Sequence, residues 1–77
     1  MSKQIKPDEM MKLLEIFNCE ILPWIITNHL SLLDALIILE KESPENFEIL
    51  DTLWRNTVGH QYIKSAMNKN GIKYFSK

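Results

Sequence analysis

Seventy-seven residues, 45% of them hydrophobic, with a net charge of −1, give room for one domain near the smallest size at which a core holds without cross-links or association. A single cysteine, Cys19, excludes an intrachain disulfide framework. The two histidines, His29 and His60, stand too far apart for a zinc-finger spacing, so neither metal nor cofactor is expected.

Residues 1–6 read as a flexible, basic N-terminus with Lys3 and Lys6. Pro7 then opens a helix, because proline fits the first helical position and the acids Asp8 and Glu9 favour the positive end of the helix dipole. Met10, Leu13, Leu14, Phe17 and Ile21 form one apolar stripe, with Lys12, Glu15 and Asn18 facing away, and the spacing predicts a helix over 7–22. Pro23 lacks a donor and restricts Leu22, so the helix is expected to end or kink there, with 24–28 a short continuation or turn.

Between residues 21 and 39, thirteen of nineteen residues are apolar. Ser31, with Asp34 three residues on, reads as a helix cap and predicts a helix over 32–42. On that helix Leu32, Leu33, Leu36, Ile37, Ile38 and Leu39 fall almost all the way round, leaving Asp34 and Lys41 to mark a narrow wet stripe. Such a helix is expected to be the most buried of the chain. The stretch has the length to span a bilayer, yet Pro23, Asn28, His29 and Asp34 would enter hydrocarbon and Ser31 starts a helix midway, so no membrane is expected.

Ser43, Pro44 and Glu45 repeat the start signal and predict a helix over 44–57, the serine capping it. Phe47, Leu50, Leu53, Trp54 and Val58 face inward, and Glu48, Asp51, Thr52 and Arg55 outward. The apolar phase then shifts to Tyr62, Ile63, Ala66 and Met67, which places a break at Gly59 and a last helix over 60–68, stopped by Asn70 and Gly71. Residues 72–77 are a basic, aromatic tail, read as an extended arm. The fold class is all-α: one helical domain over 7–71, a small antiparallel bundle of four helices.

Leu33, Ile37, Met11 and Leu22 exceed what one thin bundle buries, which points to a symmetric homodimer, the commonest closed assembly. Charge is uneven: residues 8–51 hold ten acids against Lys12 and Lys41, net −8, while Arg55, Lys64, Lys69, Lys73 and Lys77 in 52–77 face no acid. No nucleotide-loop, EF-hand or zinc-protease pattern occurs, and no oxyanion-forming turn accompanies Cys19 and a histidine. Cys19 reads as a structural cysteine and His29 as a helix-end residue whose imidazole bonds the last carbonyls. Glu40, Glu42, Glu45 and Glu48 read as a solvated face around the turn at Ser43 and Pro44.

The expected function is therefore non-enzymatic: a small cytoplasmic adaptor, inhibitor or regulator that binds itself and another protein. The N-terminus lacks the apolar run of a secretory leader, and one thiol fits a reducing compartment. Trp24, Leu33, Ile37, Lys73, Tyr74 and Phe75 are the expected partner contacts, since aromatics are enriched at binding hot spots. Charges around the turn at Ser43 and Pro44 join them. The alternative is a DNA-binding regulator with a helix-turn-helix around Gly59, using His60, Gln61, Lys64, Ser65 and Asn68. Glu45, Glu48 and Asp51 on the preceding helix, and a single arginine, weigh against it because phosphate contacts dominate such affinity.

Overall fold

Four helices make up most of residues 5–75, the part that the computed structural model describes: α1 (Pro7–Thr27), α2 (Leu32–Glu42), α3 (Pro44–Arg55) and α4 (Thr57–Asn70). No strand occurs among the described residues. Residues 1–4 of the N-terminal segment 1–6, and residues 76 and 77 of the tail, lie outside them.

α1 begins as expected, with Lys6 in extended backbone, Pro7 in the first turn and the Met10 N–H bonded to the Lys6 carbonyl at 2.8 Å. Its stripe faces inward: Phe17 and Ile21 are buried, and Met10, Leu13 and Leu14 pack against the core. Pro23 does not end this helix. Instead Phe17–Ile21 form one π turn in which the Leu22 N–H reaches back five residues to the Phe17 carbonyl, and Leu22 keeps ordinary helical angles (φ −61°, ψ −48°). In an α-helix the proline ring collides with the carbonyl four residues earlier, here that of Cys19, and the wider turn moves that carbonyl away. Asn18, Cys19 and Pro23 all lie on the exposed side, where water can satisfy the carbonyl left without a donor.

α1 stops through backbone geometry. His29 adopts the left-handed conformation (φ 54°) usual for glycine at a helix end, so that the Leu30 N–H bonds the Ile25 carbonyl at 3.0 Å and the His29 N–H that of Ile26 at 3.2 Å. The role expected of the imidazole falls to the main chain. Ser31 caps α2 as expected, its hydroxyl accepting from the Asp34 N–H at 3.1 Å. Ser43 makes no side-chain cap for α3, which starts on Pro44 with the Phe47 N–H on the Ser43 carbonyl at 2.9 Å.

The break expected at Gly59 lies at Asn56. Its side-chain oxygen accepts from the N–H groups of Val58 and Gly59, at 3.0 and 3.1 Å, and α4 starts at Thr57. Val58 therefore belongs to the first turn of α4 and is 61% exposed instead of facing the core. Gly59 is buried because α4 rests there on the end of α3: a Cβ would stand 2.6 Å from the Leu53 carbonyl oxygen. Asn70 and Gly71 do stop α4, with Gly71 left-handed (φ 66°) and the Ile72 N–H on the Met67 carbonyl at 2.8 Å.

The core takes Phe17, Ile21 and Ile25 from α1, Leu32, Ala35 and Leu39 from α2, Leu50 and Leu53 from α3, and Ile63 and Met67 from α4. α3 packs against all three other helices. The radius of gyration, 11.7 Å, matches the roughly 11.5 Å of a compact chain of this length, so the core closes within one copy.

α2 is less needy than its composition implies. Leu32, Ala35 and Leu39 are buried, Leu33, Leu36 and Ile38 half-buried, and only Ile37, 53% exposed, stands clear among its apolar residues. Leu22 is likewise half-buried against the core. The surplus expected to require a partner thus shrinks to a few side chains, partly because the tail folds back over the start of α2.

Candidate interaction surfaces

A helix start leaves its first N–H groups without intrahelical partners. In α2 the Asp34 N–H is taken by Ser31, and the two before it are taken by the tail: the Leu32 N–H bonds the Lys73 carbonyl at 2.9 Å and the Leu33 N–H the Tyr74 carbonyl at 3.1 Å. Tyr74 then stacks on Trp54 of α3, ring centroids 5.7 Å apart and planes 16° from parallel, and Phe75 meets Tyr74 edge-on at 4.6 Å. Residues 72–75 are thus an ordered strap, held by two main-chain bonds, one aromatic stack and the packing of Ile72 on the core.

Five of the six expected partner contacts, Lys73 among them, belong to the strap or to α2. Leu33 holds the strap, Ile37 follows one turn later on α2, and Tyr74 and Phe75 are strap residues, Phe75 being 62% exposed. Lys73 and Phe75 also line a cleft of about 460 Å³ with His29, Leu30 and Asn70 where α1 ends. Trp24 is placed elsewhere: it is half-buried and lines a cleft of about 200 Å³ with Ile38, Glu42 and Ser43. It therefore joins the turn at Ser43 and Pro44, not the tail.

Sequence reasoning took Trp54 as a core residue and missed its part in seating the strap. Its place at the end of an apolar stripe, one residue before Arg55, was the available signal. A second surface was legible only through Met11, one of the residues expected to exceed what the bundle buries. Met11, 70% exposed, Leu14, Cys19 and Tyr62 form the apolar part of an open groove of about 760 Å³ between α1 and α4, with Asp8 and Glu15 along it. Tyr62 is fixed there by an Asn18 amide donating to its hydroxyl at 2.6 Å and by edge contact with Phe17 at 6.4 Å.

The residues proposed for reading DNA are arranged differently from a helix-turn-helix centred on Gly59. The link between α3 and α4 is Asn56 alone, and the glycine lies inside α4. His60 packs on Trp54 with ring centroids 4.0 Å apart, and its Nδ1 lies 2.9 Å from the Trp54 carbonyl, which ties the imidazole to the end of α3. Gln61, Lys64, Ser65 and Asn68 are exposed along α4.

Cys19 is a free, exposed thiol in the groove, whereas His29 lines the cleft at the end of α1 and His60 packs on Trp54. Among the described residues no group of three or more histidine, cysteine or acidic side chains is placed to hold a metal ion. No single helix there is long and apolar enough to cross a membrane; α1 and α2 meet both requirements only together, across a 110° bend. No protein-family model, curated protein or solved structure matches the chain.

Proposed function

We propose that this chain is a small, non-enzymatic protein-interaction module of the cytoplasm, an adaptor, inhibitor or regulator that acts as a homodimer. One observation carries the reading: large apolar side chains remain more than half exposed on the closed fold, Ile37 on α2 and Phe75 on the strap that the Leu33 N–H holds through Tyr74. Large apolar side chains grouped on a surface mark contact sites more often than scattered ones do. A few large side chains commonly supply most of the energy of an interface. The free thiol of Cys19 fits a reducing compartment.

The test is the mass of the full chain in solution over a wide concentration range, beside Ile37→Lys. The natural chain is expected to approach twice its 9.1 kDa as concentration rises. Ile37→Lys should stay single while keeping its unfolding midpoint, because an exposed substitution changes stability by only about 0.5 kcal/mol. A natural chain that remains a single copy throughout removes the homodimer.

A further inference from the structure

We infer that the seat made by the first turn of α2 and Trp54 takes residues 72–75 of a second copy, so that the homodimer proposed above, on which this inference rests, is joined by exchanged arms. The seat recognises two successive carbonyls of an extended backbone, through the N–H groups of Leu32 and Leu33, followed by an aromatic ring laid flat on Trp54. The chain's own arm meets those requirements, and an identical arm from another copy meets them equally.

The connection between arm and body is minimal. α4 runs to Asn70, Gly71 alone turns the chain, and a Cβ built on Gly71 has no atom within 4 Å. Rotation at this glycine would carry the arm off its own body at the cost of the bond from the Ile72 N–H to the Met67 carbonyl. Exchange restores the two main-chain bonds to α2 and the stack on Trp54, and swapping an identical element is a low-cost route to a dimer. Ile37, one turn beyond Leu33 on α2, and Phe75 of the arm itself are more than half exposed in the closed single copy, which leaves apolar surface for a second body to cover. Charge is favourable, since the arm brings Lys73 toward a body whose residues 8–51 carry a net −8.

The experiment uses two full-length variants, Trp54→Ala, which spoils the seat, and Tyr74→Ala, which spoils the arm, each alone and mixed after equilibration. In an exchanged heterodimer the natural Tyr74 of one chain lies on the natural Trp54 of the other, while both variant homodimers have no such stack. The heterodimer is expected to form about tenfold more tightly than either homodimer, the scale of one aromatic pair with its buried area. Dimers of equal strength in all three samples overturn the exchange and leave the homodimer standing. A natural chain that never dimerises overturns both. Should Trp54→Ala lose its helical circular dichroism, the same question is put in a Cys19→Ser background by mixing Leu33→Cys with Tyr74→Cys: a disulfide between the two chains supports exchange, and its absence in samples that do dimerise overturns it.

Discussion

Gly59 and His29 show opposite uses of backbone freedom. Glycine at 59 is needed for space, since any Cβ would press on the Leu53 carbonyl, whereas His29 holds a left-handed conformation that a glycine would adopt more easily. Gly59→Ala is expected to destabilise the fold by about 1–3 kcal/mol, the usual cost of overpacking, read as a lower denaturant midpoint. His29→Gly should raise stability by about 0.5–1 kcal/mol, because relief of the left-handed strain exceeds the added chain entropy. Asn56→Ala loses the acceptor for two N–H groups and should cost about 1 kcal/mol, with the loss concentrated in faster hydrogen exchange at the start of α4. None of these roles was legible in the sequence. A glycine before a phase change reads equally as a break or as a close approach, and only the packing of α4 on α3 decides between them.

The existence of all four helices was legible, because each carries an apolar stripe and the first three also a start signal: Pro7 with Asp8, Ser31 with Asp34, and Pro44 with Glu45. Their limits were less so. Pro23 weighs against helix on local grounds, yet buried Phe17, Ile21 and Ile25 hold the segment against the core on both sides of it, and the π turn reconciles the two demands. Pro23→Ala supplies the missing donor at an exposed position. It is expected to raise the unfolding free energy by about 1 kcal/mol, with an unchanged dependence on denaturant concentration. A fall in stability would mean that the wide turn is set by packing of the stripe and not by the proline.

For the molecule as one body, the sequence overstated the need for a partner because it treated the tail as lying outside the domain. Residues 72–75 look like an appendage by composition, but the free N–H groups of α2 and the ring of Trp54 give them a place. The surface pattern of charge is unaffected by that revision. With net −8 over residues 8–51 and His60 engaged by Trp54, the chain is expected to show no retention on nonspecific duplex DNA even at low ionic strength. Binding that falls steeply with added salt would instead direct attention to Lys64, Lys69 and Lys73.

The clasp between the start of α2 and residues 73 and 74 also orders events during synthesis. When Leu32 and Leu33 leave the ribosome, the carbonyls that will satisfy them have not yet been made, and more than half the chain's length must emerge before they are. Over that interval the nascent chain carries a greasy helix with a hydrated, unfinished beginning, a state open to chaperones or to a neighbouring nascent copy.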